Sequence, residues 1–549
     1  MTAHLLRGEI APSYEALEFG VAEKMAIRAI AKAFDVSIDR VERLFAKSGD
    51  LGLVAESLGK DRKGRGLTIR QVFEELREIA LTRGRGSQAG KLSRLSDLLS
   101  SSSALEAKYI VRTVLGVHRI GVAEMTFLNG LAKAFTGQKE NKTALEAAYN
   151  VLPDLGEVAY RTAKGGLSAL RNVGPVPGVP VRMMLAQRVE KLEEIKEHIA
   201  SQVFAEYKYD GERAQIHLLR GGEIAFFSRR LEKITHQYPE IVQSVPKAFQ
   251  GKEAIVEGEV VAYDPKEDRL HPFQVLMQRR RKYEIEAYAK TFPVTCFLFD
   301  ILYVDGKNLL STPLKNRRKL LRQRFKEVRP AIRFADYIVT EEMADIESYF
   351  HKVVKRGAEG IVVKSAEGVY QAGNRGWLWI KFKKEYEAEL ADTLDLVVVG
   401  ALYGKGRRAG SYGSLLLAAF DPETNKYYSF TKVGAGFTDK DLQNLPKTFK
   451  PLMIPSKHRL VKTDMKMDVW FEPARVMEVA GAEITTTPVH SVARERIRKG
   501  GLALRFPRFL RWREDKTPEQ ATTVQEINQI YQGGRVQPKP LARTQQEAA

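Results

Sequence analysis

The chain has 549 residues, 44% of them hydrophobic and 28% charged, with one cysteine and a formal net charge of +20. That length calls for two to four domains, and the balance of apolar and charged residues excludes a disordered or fibrous protein. A lone cysteine excludes a disulfide framework, no apolar run is long enough to span a bilayer, and MTAHLLRGEIAPSY lacks a secretory leader pattern, so a cytoplasmic protein with a polyanionic partner is expected.

From the start to about Arg171 the pattern reads as helical throughout. YEALEFGVAEKMAIRAIAKAF, IRQVFEELREIAL, LEAKYIVRTVLG and ALEAAYNVL repeat apolar residues three and four apart. Thr68 with Gln71, Ser103 with Glu106 and Thr143 with Glu146 have the spacing of capping boxes, in which a hydroxyl and a side chain three residues later satisfy free N–H groups. RNVGPVPGVPVR, residues 171–182, carries three prolines and reads as a linker.

Beyond it the period changes. VFAEYKYD, AQIHLLR, EIAFFSRR, AIVEGEVVAYD, VTCFLFDILYVDG and GIVVKS are short, β-rich and bounded by turn residues, and NRRKLLRQRF and IESYFHKVVKRG interrupt them as helices, an α+β pattern. Cys296 lies inside one of the apolar runs and reads as a buried thiol. After KFKKEY, the segments LDLVVVGALYG, GSLLLAAFD, YYSFTKVG, ARVMEVAGAEITT and ALRFPRFLRWRED suggest five strands, the number in a small barrel of the OB type. The closing GGRVQPKPLARTQQEAA is polar and reads as disordered.

The chemistry is expected on strands. No phosphate-binding loop of the Gly-Lys-Ser/Thr kind is present, and GKGRRAG matches no dinucleotide fingerprint, so side-chain cations must handle any nucleotide phosphate. Strand alternation in FAEYKYDG puts Glu206, Lys208 and Asp210 on one face, with Arg213 beyond the turn. EGIVVK ends an apolar strand on Lys364, WLWIKFKK sets Lys381 and Lys383 on one face, and Glu257 and Glu259 stand among apolar residues in IVEGEVVAY. Charges on half-buried strands are costly unless they face a polar site. Converging lysines disfavour one another's ammonium form, which frees an amine to attack phosphorus. Glu259 and Glu359 are candidates to hold a divalent ion on the phosphates. His118, His217, His271 and His490 show no ligand spacing and read as structural or surface residues.

KYDGER, SRRLEK, FLFDILYVDG, EGIVVK and WLWIKFK follow in this order, and LRFPRFLRWREDKTPEQATT closes the series. The series resembles the ATP-dependent DNA ligases of the archaeal and eukaryotic replicative type, covalent nucleotidyltransferases, from about residue 4 to about residue 530. The resemblance implies a multidomain chain with an all-α DNA-binding domain at 1–178, an α+β adenylation domain at 179–385, an OB-fold β-barrel at 386–532 and a disordered tail at 533–549. It implies ATP and Mg²⁺ as cofactors and nicked double-stranded DNA as the partner, encircled by a monomer. Lys208 then matches the lysine that takes AMP, Glu206 the residue that reads the adenine amino group, and Arg213 the one near the ribose. Arg229 and Glu259 match nucleotide contacts, Phe299 the ring that stacks on adenine, and Lys364, Arg375, Lys381 and Lys383 the remaining cations of that domain. Glu359, with Glu259, matches a metal ligand. Arg513 and Lys516 match residues that orient pyrophosphate, and Lys108, Arg112 and Arg119 are expected on DNA. Relatives carry a longer segment ahead of the start of this chain, so the helical domain is expected to lack its first helices. Some archaeal relatives bind a sliding clamp through an aromatic-containing motif; its counterpart here, GKDRKGRGL, lacks the aromatic pair, so clamp binding through it is not expected.

An RNA ligase or a GTP-dependent capping-type nucleotidyltransferase shares the lysine motif, but the large helical region and the RFPRF–REDK ending favour a DNA ligase. A non-catalytic DNA-binding protein would not retain so many costly charges on apolar strands.

Overall fold

Apolar residues three and four apart draw the first 170 residues into helices. In Glu23–Phe34, Ala26, Ile27, Ile30 and Phe34 are all buried. They pack with the helices at 38–48, 51–58, 69–81, 87–101 and 104–114 into one core, and Glu124–Thr136, Lys142–Val151 and Leu155–Gly165 surround a second. The computed structural model describes residues 1–264, 267, 269–271, 273–279, 288–289, 291–383, 393–404, 411–481, 483–495 and 500–533. It divides into two compact units, Met1–Lys384 and Glu385–Ala549. GKGRRAG from residue 405 and the tail from residue 534 lie outside the described residues.

Two of the expected capping boxes form. The Thr68 hydroxyl accepts from Gln71 N at 3.2 Å while Thr68 N donates to Gln71 Oε1 at 2.8 Å, and Ser103 and Glu106 repeat the exchange. The third does not. A 3₁₀ turn at Lys139–Asn141 starts the next helix at Lys142, so Thr143 is already helical and its hydroxyl donates to Glu140 O instead. The expected helix over 14–34 also begins late, at Glu23. Ala16 and Gly20 have positive φ, and buried Lys91 donates to Phe19 O at 2.5 Å, holding the segment in an open course.

Residues 185–383 form two sheets. One contains β1 (Leu185–Arg188), β2 (Val203–Lys208), β10 (Tyr337–Thr340), β11 (Gly360–Ser365) and β12 (Arg375–Lys383), in the order β1-β12-β11-β2-β10. The other contains β3 (Glu212–Leu218), β4 (Ile224–Ser228), β5 (Ala254–Asp264), β7 (Val294–Val304) and β8 (Lys307–Asn308), in the order β4-β3-β5-β7-β8, with β6 (Arg269–Leu270) on β5 and β9 (Ile332–Phe334) on β7. The face of β3 bearing Ala214, Ile216 and Leu218 packs into an apolar core with Ile241, Val256 and Leu298, and Cys296 is buried there. The proline-rich stretch is docked on this region: Val181 and Met184 are fully buried, and Gln215 holds the Val181 backbone.

The second unit holds ten strands among its described residues rather than five. ARVMEVAGAEITT breaks at Gly481 into Val476–Ala480 and Glu483–Thr487, and ALRFPRFLRWRED turns at Phe506, which has positive φ, between Gly501–Arg505 and Arg508–Trp512. Short strands at 453–454, 461–462 and 469–471 complete the difference. Leu396, Val398, Leu417, Phe430, Phe471 and Met477 fill this unit's core.

Candidate active site

Strand register decides which charges meet. Across the first sheet, Phe204, Lys364 and Trp379 lie in one row, Glu206, Val362 and Lys381 in the next, and Lys208, Gly360 and Lys383 in a third. Directly opposed residues share a face, so three rows of lysine and glutamate project to one side. At Gly360, with φ +152°, a Cβ would lie 2.1 Å from Phe382 O, so only glycine lets β11 start against β12 at the place where Glu359 enters the site. The turn after Lys208 is equally tight: a Cβ on Gly211 would lie 2.3 Å from Val260 O.

This face borders a cavity of about 840 Å³ lined by Glu206, Lys208, Arg213, Arg229, Glu259, Phe299, Glu359, Lys364, Arg375 and Lys381. Lys383 joins them through Glu359 Oε2, 3.1 Å from its Nζ, and the same oxygen pairs closely with Lys208. Glu206 is buried between Arg318 and Lys364, whose Nζ lies 2.6 Å from Oε2. The Lys364 ammonium also stands 4.2 Å from the ring centres of both Phe299 and Trp379. Burial pushes Lys364 down to about 8, against the pull of Glu206. Phe299 is the extra residue of a bulge, because Glu257 faces Asp300 while Gly258 faces Leu298. Arg213 donates to Met184 O at 2.6 Å and to Glu257 at 2.7 Å.

Two groups stand out by lacking protein partners. Arg229, Arg375 and Lys381 pair with no carboxylate among the described residues, and desolvation with the nearby charges of Lys208, Arg375, Lys383 and Arg229 lowers Lys381. The Glu259 carboxylate receives no hydrogen bond or ion pair among the described residues; desolvation pushes it up to about 7. A lysine amine, free cations and a half-buried carboxylate thus share one cavity, a constellation suited to nucleotidyl transfer.

Comparison with known proteins agrees with this chemistry. Residues 1–132 match a family model described as the DNA ligase N terminus, 183–383 the ATP dependent DNA ligase domain, and 408–516 the ATP dependent DNA ligase C terminal region. The DNA ligase of Aeropyrum pernix is 44% identical over 97% of this chain and 91% of its own length. DNA ligase 2 of Thermofilum pendens is 46% identical, covering 96% and 90%, and the Staphylothermus marinus DNA ligase 46%, covering 96% and 92%. The chain belongs to the ATP-dependent DNA ligases. It is an enzyme that seals nicks in DNA using ATP.

Other charges of this ligase are committed within the fold. Arg317 pairs through two hydrogen bonds, 2.8 and 2.9 Å, with Asp300, both fully buried, and its neighbour Arg318 holds Glu206. Arg317 and Arg318 escape a reading by motif, and Glu257 is legible only as a carboxylate among apolar residues. Only the pattern of two arginines at core positions of NRRKLLRQRF, residues 316–325, signals the first two. In the helical region, Arg112 and Arg119 both pair with Asp50 and Lys108 pairs with Glu56 at 2.9 Å. In the second unit, Arg513 and Lys516 of the ligase come together on Asp395, at 2.7 and 2.6 Å. His217 and His490 are buried and, for that reason, pushed down to about 3 and about 4. Among the described residues, no group of three or more His, Cys, Asp or Glu side chains has metal-binding proximity, and no helix is long and apolar enough to cross a membrane.

Proposed function

We propose that the ligase works through a lysine adenylate at Lys208, a reading carried by the position of that amine beside Glu359 and Lys383 on the wall of the cation-lined cavity. The Lys208 amine gives up a proton and attacks the α-phosphorus of ATP, forming an N–P bond as the P–O bond to pyrophosphate breaks. A 5′-phosphate oxygen at the nick then displaces Lys208, forming an adenylated DNA end. Finally the 3′-hydroxyl loses its proton and attacks that 5′-phosphorus, forming the phosphodiester as AMP leaves. Each step moves charge onto phosphate oxygens, so placement and cations supply most of the catalysis.

Glu206 reads the adenine amino group and Phe299 stacks on the base, while Arg213 holds the ribose. Lys364 completes the base end. Arg229, Arg375 and Lys381 take the phosphates, and Lys383 shares Glu359 with the nucleophile. Glu259 and Glu359 fit a Mg²⁺ ion: one is an unpartnered, desolvated carboxylate, and the other becomes available when Lys208 turns to phosphorus. That ion would supply charge neutralisation on the phosphates. In the C-terminal unit, read as an OB-type barrel, Arg513 and Lys516 exchange Asp395 for pyrophosphate. The partner is a nicked duplex encircled by a monomer, with domains divided near residues 178 and 385. Clamp binding is not expected through GKDRKGRGL, which lacks the aromatic pair.

The test is transfer from ATP labelled at the α-phosphate, without DNA. Label is expected on the wild-type chain and, after Lys208→Ala, at background, a loss of at least about 10³-fold. Full labelling of Lys208→Ala overturns the assignment, and a preference for GTP supports the capping alternative.

A further inference from the structure

Behind the cavity runs a second polar line, of which this chemistry uses Arg213 alone. Arg213, Gln215 and His217 alternate on one face of β3, and Gln215 faces Glu257 across β5. Gln215, His217 and Glu257 are all fully buried. Such polar groups persist in a core only when every donor and acceptor is matched.

Here they are matched in one direction. His217 Nδ1 accepts from Gly178 N at 3.0 Å, which leaves the ring proton on Nε2, 2.8 Å from Gln215 Oε1. The same oxygen accepts from Val181 N at 2.7 Å, and the Gln215 amide donates to Val181 O at 3.1 Å and to Glu257 Oε1 at 3.2 Å. Tyr370 OH donates to Glu257 Oε1 at 3.0 Å, so two donors fix that oxygen and aim Oε2 at Arg213. Arg213 in turn grips Met184 O and keeps a buried Nε with no partner among the described residues.

We propose that Gln215 and His217 are positioning residues for nucleotide transfer, docking residues 178–184 behind the cavity and, through Glu257, setting the plane of the Arg213 guanidinium. The inference rests on the reading of Arg213 as the ribose contact. With one of the two donors to Oε1 gone, the carboxylate is held less firmly in its plane, and the guanidinium bound to it tilts away from the sugar. Misplacement of about an ångström is enough to slow a reaction on the order of a hundredfold.

The test is single-turnover labelling of the full chain by α-labelled ATP in Gln215→Met, Arg213→Lys and the double variant, with circular dichroism to establish folding. Gln215→Met is expected to raise the ATP concentration for half-maximal labelling and to lower labelling efficiency about ten- to a hundredfold, and to add less than about twofold in the Arg213→Lys background. Equal losses in both backgrounds overturn the proposal while leaving the ribose contact standing. Normal labelling by Arg213→Lys alone removes the ribose reading and the proposal with it. If Gln215→Met does not fold, Tyr370→Phe tests the same coupling: it removes the other donor to Glu257 Oε1, together with the acceptor of Met184 N, and its loss of labelling should likewise fall below about twofold in the Arg213→Lys background, an undiminished loss overturning the proposal. His217→Gln, which keeps a donor near Nε2, is expected to label within a few-fold of wild type where His217→Phe does not; equal defects in both contradict the relay.

Discussion

Two charge clusters of the first unit, one around Asp50 and one around the cavity, are built from the same residue types and end differently. Asp50 caps the helix Leu51–Leu58 through Gly52 N and Leu53 N and also receives Arg112 and Arg119. Burial raises this carboxyl, and the arginines and backbone donors more than reverse that, holding it below the usual carboxylate range. The cluster is closed: its anion is shared by two cations and a helix end. In the cavity, Glu206 and Glu359 are each held by two cations, yet Arg229, Arg375 and Lys381 have no carboxylate at all among the described residues. A cation settled by the fold stabilises it, whereas a cation left open is set for a phosphate.

That contrast can be broken most sharply at Arg317. Arg317→Met strands the buried Asp300 charge and is expected to cost about 3–5 kcal/mol in denaturant unfolding. A loss below about 1 kcal/mol would make this buried pair no more demanding than an exposed one. Acid sharpens it next. His217 is pushed down to about 3 in the folded chain from an ordinary value of 6.5, so the unfolded chain binds the extra proton between those limits. Stability present above pH 6.5 is therefore lost as pH falls, by about 2 kcal/mol at pH 5 from this residue. The slope should shrink in His217→Gln; an unchanged slope assigns the acid sensitivity elsewhere. Asp50→Ala removes a cap and two partly buried ion pairs, an expected cost of about 1–2 kcal/mol. Labelling by ATP without DNA should stay at the wild-type level, and a drop there would join the two clusters that the contrast separates. Glu56→Ala, which frees Lys108, is expected to change stability least, by under about 1 kcal/mol in thermal unfolding.

Much of the cavity is legible in the sequence because alternation is local. Lys208 with Glu206, and Lys381 with Lys383, fall on one face by spacing alone, and the register across β2, β11 and β12 then joins them. Arg318 is not legible in that way: its acceptor Glu206 lies 112 residues away, and a basic helix such as LKNRRKLLRQR reads as a solvated face until packing buries two of its arginines. Thr143 has the spacing of a cap, but a 3₁₀ turn before it moves the helix start, which pattern alone does not register. Strand number in the second unit is undercounted for a similar reason. The fold-back at Phe506, at positive φ, is marked only by the neighbouring Pro507, and the mixed apolar and basic residues on either side read as one strand.

The docked segment between the helical and adenylation regions has one more consequence. Proline-rich connections are ordinarily where a protease finds a chain, because their backbone is free to leave the surface and enter another active site. From Gly178 to Met184 that backbone is engaged: Gly178 N, both polar groups of Val181 and both of Met184 are bound by side chains of the adenylation region. A cut there must wait for those side chains to let go, so the nicking rate of this seam would follow the opening of the catalytic core rather than the fraying of a tether.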